Sequence, residues 1–293
     1  MVEVEKVAGQ HLFSSNFYEI KALSCDFSQD KAPLKGYNDC FCLMLVKTGG
    51  LQFEVAKQSF DLYTGHVLVD KPDYEYRMKA TSAQCTVLNF SNDFYLRLLE
   101  ELQLDCTGFF ANQNALTQLL KADPVVEYLH HQLLQYPFLS QIELDGLVFE
   151  LVDCMVKKAT VNQPDATDYT PKKFHLPIIE RGKEYIHQQF HNDFSLFDLS
   201  SFAYASPFHF SRLFKRYTSV SPHQYVLNVR LKHSEMLLKN TSKPIADIAY
   251  QCGFNNAEYF ATAFKQKYGL NPSMYKQKST KLLSPLFQGL QTP

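Results

Sequence analysis

The sequence predicts an α+β fold in two parts. A strand-rich N-terminal part, forming a small barrel or jelly roll with a helical hairpin, precedes an all-α part built from two helix-turn-helix units. Three observations carry that expectation. Apolar residues alternate or run at strand length up to about residue 90 and take helical spacing beyond it. A polar stretch interrupted by Pro164, Pro171 and Pro177 separates the two parts. A short pattern then occurs twice: Phe214-Lys215 with Pro222 and Tyr225, and Phe264-Lys265 with Pro272 and Tyr275 at the same spacing.

A chain of 293 residues suggests about two domains, and 45% hydrophobic with 20% charged residues suits a globular core. No apolar run approaches the ~18 residues of a membrane span. The charged start, Met1 to Lys6, lacks the apolar segment of a signal peptide, so the expected location is the cytoplasm, with no membrane partner. Seven cysteines, at 25, 40, 42, 85, 106, 154 and 252, form no CxxC pair and read as buried free thiols. The net charge of −1 hides an asymmetry. From residue 172 onward there are 16 basic and 7 acidic residues, against 13 and 23 before it. A basic half is the electrostatic footprint of a partner rich in phosphate, although a merely solvated charged domain has the same balance.

Strands are expected over 17–23, 40–46, 51–55, 67–69 and 74–78, with Gly49-Gly50 as a hairpin turn and 64–66 as another turn. Such barrels can enclose a cavity, and Tyr18, Phe41, Phe53, Tyr74, Tyr76 and Phe90 are candidates either to line one or to fill the core. A metal-dependent barrel enzyme needs clustered ligands. His11 and His66 stand alone here and Cys40 and Cys42 bring no further ligands, so neither a metal, a cofactor nor a catalytic set is expected.

From Ser91 the period changes. Ser91 or Asn92 can cap a helix through Phe94, Leu98, Leu99 and Leu102. Residues 116–120 and 125–134 read as further helices. A helix over 140–158 carries Ile142, Leu144, Leu147, Val148, Leu151, Val152 and Met155, a surface wide enough to pack on the barrel or to pair a homodimer. The expected division is 1–160 for the first domain, 161–177 for a linker, 178–281 for the second domain and 282–293 for a flexible tail. In the second domain, Ser195 caps a helix over 196–202 and Ser206 caps one over 207–217 with Pro207 in its first turn. A long connecting helix follows Pro222. Ile245 opens the next, Gly253 makes the turn, Asn255 caps, and 256–268 is the second candidate reader helix.

Residues 178–276 resemble the DNA-binding domain of the AraC/XylS family of transcription regulators. The resemblance rests on Ser206-Pro-Phe-His-Phe-Ser-Arg-Leu-Phe-Lys-Arg, Ser221-Pro-His-Gln-Tyr, Arg230-Leu with Leu237-Leu238, and Ile245-Ala-Asp-Ile-Ala-Tyr-Gln-Cys-Gly-Phe. Its strongest run extends from Tyr259 to Tyr275, and the whole covers about a third of the chain. By strand pattern and domain order, the N-terminal part is similar to the cupin-like sensing and dimerisation domain common in such regulators. The resemblance implies a sequence-specific DNA-binding regulator, often an activator, with double-stranded DNA as partner. It also brings in RNA polymerase, a homodimer and a small-molecule effector, although the residues themselves name no ligand. Ser200, Tyr204 and Ser234 depart from the family pattern and imply a looser first unit. Thr262 stands where many members place a long polar or basic reader.

On the first reader, Phe210, Leu213 and Phe214 form the inner face. Phe208, Ser211, Arg212 and Lys215 then point outward: Arg212 can fork to a guanine, and Phe208 can touch a thymine methyl. On the second, Phe260 and Phe264 are inner, leaving Asn256, Ala257, Glu258, Ala261, Thr262 and Lys265 outward. Asn256 has two readings, adenine pairing and helix capping. Ser195, Ser206 and Asn255 cap helix starts that favour phosphate, and Arg230, Lys215 and Lys265 add charge. Arg212 is therefore expected to make the first unit the stronger reader. A cupin-type enzyme fused to a DNA-binding module lacks the ligand set, and a DNA-repair methyl acceptor lacks the clustered zinc cysteines it needs; the alternative that stays open is an architectural DNA-binding protein without an effector.

Overall fold

The computed structural model describes residues 8–25, 33–56, 58–102, 108–160 and 175–278. The chain forms two compact units, residues 1–180 and 181–293. Most of the expected linker (161–174) and the expected tail lie outside the described residues.

The first unit is an antiparallel sheet of eight strands: β1 (Ala8–Ser14), β2 (Tyr18–Cys25), β3 (Leu34–Asn38), β4 (Phe41–Val55), β5 (Gln58–Tyr63), β6 (His66–Asp70), β7 (Tyr74–Phe90) and β8 (Thr117–Lys121). The hydrogen-bonded order is β1-β2-β7-β4-β6-β8, with β3 added on β7 and β5 on β4. Among the described residues β1 and β8, at the two ends of this path, do not pair. Among the described residues three α-helices accompany the sheet: α1 (Asn92–Leu102), α2 (Pro124–Leu133) and α3 (Gln141–Thr160). This is the expected α+β class.

The six residues at the start of β4, Phe41 to Val46, are all buried, so both faces of the sheet are covered there. On one face the helices dock. The Tyr18 hydroxyl donates to Asp145 of α3 at 2.5 Å, and His130 of α2 bonds Thr86 at 2.8 Å. The broad surface of α3 packs in this way: Leu144, Leu147, Val148, Leu151, Val152 and Met155 are buried within the unit, and only Ile142 of the expected set is exposed. His11 pairs with Glu19, His66 accepts from the Tyr63 amide, and no metal-binding cluster occurs among the described residues.

Two expectations are corrected. Gly49-Gly50 is not a hairpin turn, because β4 runs straight through it. The glycines mark bulges, where the pairing with β7 shifts register between Val46 and Thr48 and between Gly50 and Leu51. Gly49 has φ +74°, and a Cβ there would lie 2.0 Å from the Ser82 carbonyl oxygen. The true hairpin follows Val55, with Ala56 at φ 47°. Residues 117–121 are a strand, not a helix. A five-residue apolar run has no decisive period, and the open edge of β6 supplied the hydrogen bonds. The turn at Gly65 and the helices over 92–102, 124–133 and 141–160 stand where periodicity placed them, and Ser91, not Asn92, caps α1 by accepting from the Phe94 amide.

The second unit is helical: α4 (Leu176–Gln189), α5 (Leu196–Phe202), α6 (Pro207–Thr218), α7 (Pro222–Asn240), α8 (Ile245–Gln251) and α9 (Ala257–Tyr268), with 272–278 also helical. The unit boundary falls within α4, which starts two residues earlier than expected because Pro177 is accommodated in its first turn. Gly182 of α4 lets Phe210 approach, since a Cβ there would meet the Phe210 ring at 2.6 Å. Phe210 is fully buried and cannot swing aside. Gly182→Val is expected to lower the stability of this unit by about 1–3 kcal/mol through overpacking, read by chemical denaturation.

Candidate nucleic-acid interface

The two halves of the second unit share one construction. In α6, Phe210 and Phe214 are 0% exposed; in α9, so are Phe260 and Phe264. Each inner Phe meets the tyrosine of the repeated pattern edge-on. Phe214 and Tyr225 stand 5.2 Å apart at 85°, and Phe264 and Tyr275 stand 5.3 Å apart at 79°. The repeat is thus first a packing device: it locks each reader helix against the following helix. Both readers end in a left-handed residue, Ser219 at φ 66° and Gly269 at φ 76°.

The turns differ. In the first unit Tyr204 takes φ 55°, a costly conformation for a residue with a side chain. Arg181 holds this turn, donating to the Ala203 carbonyl at 3.2 Å with its guanidinium 5.0 Å from the Tyr204 ring. In the second unit Gly253 takes φ 82° without that cost. Ser200 and Ser234, which implied looseness, are fully buried, and their hydroxyls donate to the Phe197 and Leu231 carbonyls. Neither leaves a polar group unmet.

The outward residues of α6 stand as expected. Ser206 caps it, its hydroxyl accepting from the His209 amide at 3.3 Å. Phe208 is 77% exposed, and Arg212 and Lys215 are exposed, while Ser211 is half-buried. The Arg212 guanidinium lies 5.8 Å from the Phe208 ring, which biases both side chains toward one side of the helix. Arg216, on the same last turn and also exposed, is a basic residue that the outward-face reading passed over.

On α9 two roles change. Asn256, not Asn255, is the cap. Its side chain accepts from the Glu258 and Tyr259 amides at 2.7 and 3.2 Å, because the second turn holds one more residue than the first. Asn255 is exposed in the turn. Ala257 is half-buried against the second core, and Glu258, Thr262 and Lys265 are exposed. The Thr262 hydroxyl donates to the Glu258 carbonyl at 3.0 Å, so its donor is spent within the helix.

Arg230 is not the free cation that its charge suggested. Its guanidinium donates to the Phe190 and Asn192 carbonyls at 2.6 and 2.8 Å, tying the end of α4 to α7. Burial lowers its pKa. A Cβ on Gly253 would meet the Phe190 and His191 carbonyl oxygens at 2.7 and 2.9 Å, so the second turn sits against the same strut. On α7, Glu235 accepts from Lys232 and Lys239 at 2.8 and 2.7 Å and from the Tyr275 hydroxyl. Burial alone would raise its pKa, but these donors outweigh it and hold the carboxyl at about 2. Cys252, fully buried behind the turn, has its thiol pushed up to about 12 by burial and is not a nucleophile at neutral pH.

A family profile described as a helix-turn-helix domain matches residues 199–278, the span of these two units. The chain is 37% identical over 92 residues to "Probable transcriptional regulator LumQ" of Photobacterium leiognathi, covering 31% of this chain and 37% of that protein. Residues 199–278 are thus a helix-turn-helix domain of the AraC type.

The chain is also 36% identical over 96 residues to the "Bifunctional transcriptional activator/DNA repair enzyme AdaA" of Bacillus subtilis, covering 33% of this chain and 46% of that protein. The chain spans between about a third and a half of the length of these curated relatives. Over a longer stretch, the chain is similar to the "Uncharacterized HTH-type transcriptional regulator YdeC" of Bacillus subtilis, 25% identical over 219 residues, 65% of this chain and 75% of that protein. Among solved structures, ToxT of Vibrio cholerae aligns with 88% of this chain and 96% of its own at 15% identity and a TM-score of 0.40.

Proposed function

We propose that this chain is a sequence-specific DNA-binding transcription regulator, an activator, in which the first unit is a cupin-like sensing and dimerisation domain. The observation that carries the reading is the pair of reader helices. Each is held from behind by buried aromatic rings, and each presents exposed polar residues on its open side, on the half of the chain richest in Lys and Arg. Arg212, Phe208 and Lys215 of the first reader form its strongest DNA-facing set, with Ser206 and Ser211 beside them. Glu258, Thr262 and Lys265 of the second, with Asn255, Asn256 and Ala257 at its start, contribute mainly through backbone phosphates. The 19 residues of α7 give a rod of about 28 Å between the two readers, close to the roughly 34 Å of one DNA turn. Homodimerisation would use the exposed Phe138, Ile142 and Phe149 around α3. RNA polymerase and a small-molecule effector complete the partners of this reading.

The test is binding-site selection followed by titration on the selected duplex and on random DNA. Arg212→Ala is expected to cost about 1–3 kcal/mol on the selected site and to relax preference at one base pair. Lys265→Ala is expected to weaken both duplexes alike and to reduce the salt slope by about 1. Equal losses from Arg212→Ala on selected and random DNA would remove Arg212 as a reader. Uniform coating of DNA by the wild-type chain would favour an architectural role instead.

A further inference from the structure

The first unit contains a half-enclosed cavity of about 300 Å³, at the small end of ligand sites. Of the aromatic residues that sequence offered for a cavity, Phe53, Tyr74 and Tyr76 line it, while Phe41 and Phe90 are core and Tyr18 is bonded to α3. Met44 and Met78 complete its apolar wall.

Its polar end is built from buried groups. Asp70 is 2% exposed and Tyr74 is 5% exposed. One Asp70 oxygen accepts from the Thr117 hydroxyl, and the other accepts from the Cys42 thiol, a weak donor at 3.5 Å. The Tyr74 hydroxyl faces Asp70 without reaching hydrogen-bond geometry and has no other partner among the described residues. A buried hydroxyl left so is destabilising unless something fills the gap. Lys71, the next residue, does not neutralise Asp70. It points to the opposite side of the strand, where its ammonium donates to the Phe109 and Asn112 carbonyls. Lys21, also on the lining, is bonded to Glu19 at 2.7 Å. Asp39 adds a second carboxylate to the lining.

We propose that this cavity binds a small primary amine, its ammonium seated between Asp70 and Tyr74 and its apolar body against Phe53, Met44 and Met78. An ammonium brings three donors and no acceptor. It can give one to the under-used Asp70 oxygen and one to the Tyr74 oxygen, and the rings of Tyr74 and Tyr76 attract its charge. A carboxylate ligand would meet like charge at Asp70. Burial holds the Asp70 carboxyl up at about 6, and an adjacent ammonium favours its ionised form. This rests on the effector reading above and gives that effector a chemical class.

Calorimetry on the full chain with 2-phenylethylamine, 2-phenylethanol and phenylacetate tests it. The amine is expected to bind on the order of tenfold more tightly than either neighbour, the difference expected of a charge-assisted hydrogen bond. Asp70→Asn is expected to erase that preference. Tyr74→Phe is expected to weaken the amine about threefold to tenfold while raising the melting temperature by about 2–4 °C, since it deletes an unpaired buried hydroxyl. If Asp70→Asn does not fold, Tyr74→Phe decides. Phenylacetate binding as tightly as the amine, no amine binding at 10 mM (a free energy below about 3 kcal/mol), or wild-type affinity in Tyr74→Phe overturns the proposal. DNA titration with and without the amine separates the two readings. Unchanged DNA affinity with a bound amine removes the effector role and leaves the ligand class standing.

Discussion

Glu235→Ala is expected to destabilise the AraC-type domain by about 3–5 kcal/mol, because one buried carboxylate serves three donors. Glu235 is 5% exposed and receives Lys232, Lys239 and the Tyr275 hydroxyl. Removing it strands the 4%-exposed Lys232 without this counter-charge and frees the tyrosine of the second repeat. Glu235→Gln is expected to lose less, since the amide oxygen still accepts hydrogen bonds. The same cluster predicts an acid dependence. The Glu235 pKa of about 2 lies below its ordinary 4.5, so its stabilisation is complete above about pH 4.5 and is lost as pH falls toward 2. At about 1.4 kcal/mol per pKa unit, that contribution is on the order of 3 kcal/mol. Denaturation of the wild type and Glu235→Gln at pH 7 and pH 3 measures it. A stability gap that fails to narrow at pH 3 would contradict the assignment.

Phe264→Ala is expected to cost a similar amount, about 3–5 kcal/mol, as a large buried ring replaced by a methyl group. The Phe264 ring touches Phe260, Tyr268 and Tyr275 at 5.6, 4.5 and 5.3 Å between centroids. Nothing small can refill that space without moving α9. Phe214→Ala removes the matching ring in the first unit, where the contacts are Phe210 and Tyr225 at 5.2 Å each. Hydrogen exchange discriminates the two. Phe264→Ala should raise exchange in α9 before α6, and Phe214→Ala the reverse. Simultaneous loss of both helices in either variant would show that the two units unfold as one.

Much of the fold was legible because its signals are local. The 3.6-residue period set the buried faces of α6 and α9, and Ser91, Ser195 and Ser206 each cap the helix that follows them. The outward placement of Arg212 and Lys215 follows from the same period. The errors lie where a residue's role depends on a distant partner. Residues 117–121 became a strand because β6 had an unpaired edge. Gly49-Gly50 became a bulge because β7 is long enough to pair with the strand on both sides of it.

By itself, the sequence determined the division into a strand-rich first part and a helical second part, the tandem pattern at 214–225 and 264–275, and which side of each reader helix is apolar. Side-chain chemistry and spacing suffice for these. Only the tertiary structure decided that Arg230 is a strut and not a phosphate contact, that Asn256 rather than Asn255 caps α9, and that Tyr225 and Tyr275 hold different partners, His187 and Glu235. The physical reason is common to all three. A charge, an amide or a hydroxyl is available to a ligand only if no carbonyl, amide or carboxylate of the folded chain has reached it first, and those groups arrive from elsewhere in the chain.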